Sequence, residues 1–314
     1  EDPDCLRGLA CIIQRIRNGD LDARCKRLLL SSPLVGVPKT AGGARPITIG
    51  ETLYKMAAIH GITEVVNEAI AVLGEDQFAL LEGGSESAVL VLKALLETHA
   101  GATTDAENAY NAICRAAVLE ALYAEPTLAP IFRLVNWAYG EPTDLLLFDM
   151  AGMLLALMQS ANGTRQGDPL ATLLFCLPLK RAIDAAKAAG GPDVKAVAIM
   201  DDVTFVGPAY GAAVTRAVLA YEVGLRAIGL TFVARKSCYT SFSGSQLSEA
   251  TLQHSLASGM SIKRDMCIIG GAPMGPDTVA VQAEALRLLR RSAKFFSDLR
   301  DAGMPSPVAD RLLR

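Results

Sequence analysis

Apolar residues recur at every third and fourth position through residues 5–30, through TLYKMAAIHGITEVVNEAIAVL and through SESAVLVLKALLETHA, the period of helices that bury one stripe. Between the first two of these segments, LVGVPK and RPITIG flank the glycine-bearing TAGGA, which predicts a two-stranded hairpin. The stretch GATTDAENAYNAICRAAVLEAL reads as a strand that ends near Asp105 and turns into a helix carrying Arg115 and Leu119. In GTRQGDPLATLLFCLPLKRAIDAAKAAGG the helical period returns: Asp168 is the expected cap, Pro169 suits the first turn, Pro178 predicts a kink, and Gly190 or Gly191 closes the helix. VKAVAIMDDVTFVG has strand formers on both sides of Asp201 and Asp202 and predicts strand, tight turn, strand. A helix over AAVTRAVLAYEVGLRAIG, a strand in LTFVARKSCYTSF, a hairpin around MCIIGGAPMG and an amphipathic helix from Asp277 onward complete the order, with no internal repeat.

This β-α-β-β-α-β alternation predicts an α+β fold of the split βαβ type, a mainly antiparallel sheet with helices on one face. In that layout the end of the first strand lies beside the central hairpin, so Asp105, Asp201 and Asp202 share one cleft. Carboxylates forced together repel unless they are protonated or bridged by a cation, and an oxygen-only cluster suits Mg²⁺ or Mn²⁺. Two such ions about 3.5–4 Å apart form the clamp used for in-line phosphoryl transfer.

Composition narrows the alternatives. The 314 residues are 51% hydrophobic and 20% charged, ample for a core and for more than one lobe. The longest apolar runs, such as LLLFDMAGMLLALM, are interrupted by Asp149 and read as too short to cross a bilayer, so no membrane partner is expected. Seven cysteines without a C-x-x-C pair, and three distant histidines (His60, His99, His254), suggest neither a zinc site nor a disulfide framework; reduced, intracellular thiols are expected. The net charge of -3 argues against a generally basic surface, although RIRNGDLDARCKR and LRLLRRSAKFF are local basic clusters on helix-like segments. The start EDPDC, with neither an initiator Met nor a signal-like segment, reads as a piece of a longer protein.

The motifs and their order resemble those of reverse transcriptases, in particular the reverse transcriptase domain of non-LTR, LINE-type retrotransposons. GVPKTAGGARPITIGETLYKMAA resembles the fingers motif and QFALLEGGSESAVLVLKAL the helix that follows it. DAENAYNAICRAAVLEAL resembles motif A, GTRQGDPLATLLF motif B, AIMDD motif C, GLTFVARKS motif D, and CIIGGAPMG the primer-grip hairpin. Ile199 stands where the family usually carries an aromatic residue, two places before the aspartate pair.

The resemblance implies a right-hand polymerase with fingers over 1–98, a palm over 99–275 carrying a fingers insertion at about 126–160, and the start of a thumb over 276–314. It implies that Asp105 and Asp201, helped by the carbonyl of Ala106, hold two Mg²⁺ or Mn²⁺ ions, with Asp202 the less direct carboxylate. Lys39 and Arg45 would meet the triphosphate, a guanidinium pairing phosphate oxygens bidentately. Tyr110 would lie under the incoming sugar and reject a 2′-hydroxyl, which disfavours an RNA-making enzyme. Gln166 and Gly167 would line the nucleotide and template side, Lys236 would protonate the leaving pyrophosphate, and Gly270 and Gly271 would turn the primer grip.

The function implied is RNA-directed DNA polymerisation, extending a primer 3′-hydroxyl by two-metal nucleotidyl transfer. Its partners would be an RNA template, a DNA primer, deoxynucleoside triphosphates and flanking domains of a longer retroelement protein; its setting would be nuclear if the element is eukaryotic. The alternative is a weak or silent reverse-transcriptase-like domain that binds RNA or a protein partner.

Overall fold

The helical stripe over residues 5–30 breaks in two. In the computed structural model, which describes residues 2–38, 42–149, 151–209, 212–244 and 246–301, α1 (Pro3–Asn18) ends at a left-handed Gly19, and Asp22 caps α2 (Ala23–Leu30) by accepting from the Cys25 amide. The predicted hairpin follows as β1 (Ser32–Pro38) and β2 (Ala44–Thr48), then α3 (Thr52–Leu73) and α4 (Gly84–Leu96). By length and composition α3 is apolar enough to cross a bilayer, contrary to the expectation that the apolar runs are too short. Its Tyr54, Ala57, Ala58, Gly61, Val65, Ala69 and Leu73 are instead buried in the protein core.

The chain continues through β3 (Ala100–Thr104), α5 (Ala109–Ala112), α6 (Arg115–Tyr123), α7 (Phe132–Tyr139) and the hairpin β4 (Thr143–Phe148) with β5 (Leu154–Ser160). After α8 (Ala171–Gly190) come β6 (Lys195–Ile199) and β7 (Asp202–Gly207), α9 (Ala213–Ala227), β8 (Cys238–Ser241), α10 (Glu249–Ser258) and β9 (Ser261–Lys263). The hairpin of β10 (Cys267–Ile269) and β11 (Ala272–Met274) leads into α11 (Thr278–Asp301).

A five-stranded sheet runs in the order β6-β7-β3-β8-β9, antiparallel except at the β8–β9 edge. A four-stranded sheet, β2-β1-β4-β5, joins residues 32–48 to residues 143–160 through the parallel β1–β4 pair.

The sequence pattern anticipates helices on one face of the larger sheet, and the structure covers both. Ala196, Ala198, Val203 and Phe205 pack with α8 and α9 in the main core. Val197 and Val206 point the other way, into a second cluster with Leu92 and Leu96 of α4 and Ile269 and Met274 of the last hairpin. A strand buried on both faces reads as a continuous apolar run rather than an alternation. That accounts for the nearly continuous apolar runs AVAI and VTFVG, broken only by Thr204.

Asp168 also departs from expectation. Helix α8 begins only at Ala171 and runs unbroken through Pro178 to Gly190, and Asp168 lies before it as a buried acid. Its carboxylate is 3.1 Å from the Arg165 guanidinium and accepts from the hydroxyls of Tyr54 at 2.6 Å and Tyr139 at 2.8 Å and from the Leu170 amide at 3.0 Å. Arg165 in turn lies over the Tyr139 ring, 4.7 Å from its centroid. These groups tie α3, α7 and the approach to α8 into one hub. Removing one member of a buried ion pair strands the other charge in a poor solvent, at about 3–5 kcal/mol. Asp168→Asn is therefore expected to lower unfolding stability in urea by that amount, and a loss below about 1 kcal/mol, the range of exposed pairs, would refute the hub.

Candidate active site

Strand register assembles the site. Thr104 pairs with Val203 across β3 and β7, so Asp105, the next residue, comes level with Asp202 at the start of β7. Ile199 pairs with Asp202 across β6 and β7, which leaves Met200 and Asp201 as the two-residue turn between them.

Asp105 is held at its backbone: its N–H donates to Ser237 Oγ at 3.1 Å and its carbonyl accepts from the Val233 amide at 2.9 Å. The same segment brings Lys236, whose Nζ lies 3.1 Å from Asp105 Oδ2. Ala106 bridges to Phe232 and so keeps the chain extended past Asp105.

Tyr110, on α5, stacks on Phe175 with ring centroids 4.8 Å apart and directs its hydroxyl at the Met200 sulfur. Burial pushes that phenol up to about 12. The loop before α8 meets β2: Gln166 O accepts from the Thr48 amide at 2.8 Å and the Thr48 hydroxyl at 2.9 Å. Gly167 has φ +104°, and a Cβ there would sit 2.5 Å from the Thr48 carbonyl oxygen. Only glycine lets the two backbones approach so closely.

Arg45, Asp105, Ala106, Tyr110, Gln166, Gly167, Asp201, Asp202 and Lys236 line a single open cavity of about 650 Å³. Gly270 and Gly271 are not part of its wall. They form the left-handed turn of the last hairpin, at φ 56° and 79°, where Gly270 lies against the Ile199 side chain. Lys39 lies outside the described residues. The cavity also has Asn108 and Thr172 in its wall, which pattern reading missed. Asn108 takes a left-handed φ of 47°, so the asparagine of DAENAYN carried a turn signal that could have flagged it.

The electrostatics of the cleft are those of a group short of positive charge. Burial, with Asp201 and Asp105 adding repulsion, pushes Asp202 up to about 6. Asp201 is also raised, by burial first and then by Asp105, with Arg45 and Lys236 offsetting part of it. Among the described residues no group of three His, Cys, Asp or Glu side chains is arranged to hold a metal ion by itself. The donors present, carboxylates on paired strand ends beside a backbone carbonyl, with the Lys236 ammonium already against Asp105, fit a hard divalent cation. Mg²⁺ takes one or two carboxylates and completes its shell with waters and substrate phosphates.

The overall fold matches solved telomerase structures. The apo telomerase of Candida tropicalis superposes with a TM-score of 0.54 at 11% identity, over 70% of this chain and 45% of that one. The Candida albicans telomerase in complex with a TWJ fragment of telomeric RNA gives 0.51 at 11% identity, over 72% and 44%. The chain has the fold of a reverse-transcriptase-type polymerase.

In sequence it is similar to the retrotransposable element SLACS 132 kDa protein of Trypanosoma brucei gambiense, 30% identical over 208 residues, which is 66% of this chain and 17% of that protein. No family model matches. The reading of the motifs as those of a retroelement reverse transcriptase agrees with the likeness to the retrotransposable element protein.

Contact between Gly167, in the loop before α8, and β2 gives a direct test. Gly167→Ala puts a Cβ into the Thr48 carbonyl and a side chain into left-handed backbone, a strain of about 1–3 kcal/mol. Hydrogen exchange of the Thr48 amide is expected to accelerate about tenfold or more. An unchanged rate would mean that the two backbones are not in this contact.

Proposed function

We propose that the chain is the polymerising part of a non-LTR retroelement protein, an RNA-directed DNA polymerase that extends a primer 3′-hydroxyl with deoxynucleoside triphosphates on an RNA template. The observation that carries the reading is the convergence of Asp105, Asp201 and Asp202 with Arg45, Tyr110 and Lys236 around one cavity. Because the chain spans 17% of its retroelement relative, template, primer and target are part of this proposal.

Asp105, Asp201 and the Ala106 carbonyl are the groups to hold Mg²⁺ or Mn²⁺, with Asp202 beside them. When bound, two such ions lower the pKa of the attacking hydroxyl and neutralise charge at the phosphorus. Around them the chain's own residues have distinct tasks. Arg45 pairs the triphosphate oxygens through its planar fork, with Lys39 assigned to the same anion. Tyr110, locked by its stack on Phe175, forms a wall that a 2′-hydroxyl would strike. Gln166, whose Oε1 is buried without a hydrogen-bond partner among the described residues, and Gly167 meet the nucleotide and template. Lys236 gives a proton to the departing pyrophosphate as the P–O bond breaks, and Gly270 and Gly271 shape the hairpin that sets the primer end.

Within this reading residues 1–98 and about 126–160 act as fingers, 99–275 as palm and 276–314 as the start of the thumb. The four-stranded sheet that joins β1 and β2 to β4 and β5 supports counting the two separated segments as one lobe.

The Lys236–Asp105 ion pair favours one rival, a silent domain in which an ammonium replaces the cation. Primer extension on matched RNA and DNA templates separates the two. Extension on RNA is expected, reduced at least about 10²-fold by Asp201→Asn or Asp105→Asn, with Tyr110→Ala admitting ribonucleotides. Template–primer binding without incorporation, or full activity of Asp201→Asn, would overturn the catalytic reading.

A further inference from the structure

The turn that carries Asp201 is built from an unfavourable residue. Met200 has φ +57°, and apart from Asn108 it is the only non-glycine among the described residues with positive φ. A two-residue hairpin turn with positive φ at its first position alone favours glycine there, because a Cβ crowds the following carbonyl. Methionine is unbranched and has no short polar side chain to hydrogen-bond its own backbone. Something outside the hairpin has to hold it.

That role falls to a segment far away in sequence. Gln77 Oε1 accepts from the Met200 amide at 2.8 Å, and Gln77 Nε2 donates to the Met200 carbonyl at 3.3 Å. The side-chain amide thus pairs with both backbone groups of one residue, as a neighbouring strand would. Gln77 Oε1 also accepts from the Ala79 amide at 3.2 Å, and the residue is 5% exposed, so water does not compete for these bonds. Its own backbone is anchored against β6: the Ala198 amide donates to Asp76 O at 2.7 Å and the Phe78 amide to Ala198 O at 2.8 Å. Asp76 is tied to Lys187 of α8 at 2.6 Å.

We propose that Gln77 is the positioning residue of the aspartate hairpin, fixing the Met200–Asp201 peptide so that the Asp201 carboxylate faces the cavity. The Met200 carbonyl belongs to the peptide whose N–H is that of Asp201. A hydrogen bond to that carbonyl restrains rotation of the peptide plane, and with it the direction of the next side chain. The Met200 side chain, meeting the Tyr110 hydroxyl, couples the same clamp to the wall of the nucleotide cavity. The proposal rests on the polymerase reading for its catalytic consequence and on geometry alone for the clamp.

Two variants and two readouts test it. Gln77→Met keeps the volume and removes both hydrogen bonds; Gln77→Glu keeps the acceptor and loses the donor. Amide exchange at Met200 is expected to rise about tenfold or more in Gln77→Met, with amides in the middle of α8 unchanged. In primer extension both variants are expected to lose about 10- to 100-fold in kcat with the nucleotide KM within about twofold, the pattern of a misplaced rather than a missing group.

Unchanged Met200 exchange overturns the clamp, whatever the activity. Faster exchange with kcat at the wild-type level overturns the positioning role, as does a kcat loss that follows a matching fall in Tm in both variants. A wild-type protein that incorporates nothing overturns the polymerase reading instead, while the exchange arm still judges the clamp.

Discussion

Antiparallel pairing of β3 with β7 is the constraint on which the site depends. The Thr104–Val203 register brings Asp105 level with Asp202, and a shift of one residue would move the side chains to the opposite face of the sheet. Pairing of β6 with β7 then sets Asp201 in the turn, so two main-chain ladders collect three carboxylates at one sheet end. The cost appears in the raised Asp201 and Asp202, each driven up first by burial. Cores on both faces of the sheet, one with α8 and α9 and one with α4 and the last hairpin, hold the strands so that the carboxylates cannot drift apart.

Around this frame the structure places polar groups at joints. The Arg165–Asp168 pair, with two tyrosine hydroxyls, sits behind the loop that presents Gln166 and Gly167. Arg115, whose guanidinium burial lowers to about 10, donates to the Gly163 carbonyl and Ser160 hydroxyl and braces the other end of that loop. Gln77 serves the aspartate turn in the same manner. Each is a side chain that takes over backbone hydrogen bonding where regular structure stops. Unpaired polar groups buried at such joints would be costly, and pairing them makes the joints rigid.

Much of this was legible in the sequence. The strand end at Asp105 and the glycine turn at Gly270 and Gly271 follow from short-range propensity and turn chemistry, and the structure has them; the tight turn of the central hairpin comes one residue earlier than expected, at Met200 and Asp201, with Asp202 opening β7. The misreadings share a cause. Asp168 beside Pro169 looks like a helix cap to any local rule, because its partners Tyr54 and Tyr139 lie 114 and 29 residues away. The second covered face of the sheet was hidden in the same way, since a doubly buried strand and a buried helix segment both read as an apolar run. Gln77 opens the quoted segment QFALLEGG, yet nothing local there signals its task. Its significance depends on a backbone strain at Met200, 123 residues downstream.

Cleavage of the chain by bound iron measures the central claim most directly. With Fe²⁺ in place of Mg²⁺, and ascorbate and peroxide added, hydroxyl radicals cut the backbone next to a bound ion. A cation site at the β3 and β6–β7 ends predicts paired cuts beside Asp105 and beside Asp201, both lost in Asp105→Asn and in Asp201→Asn. Scattered cleavage, or cuts that survive both substitutions, would show that these carboxylates do not share an ion.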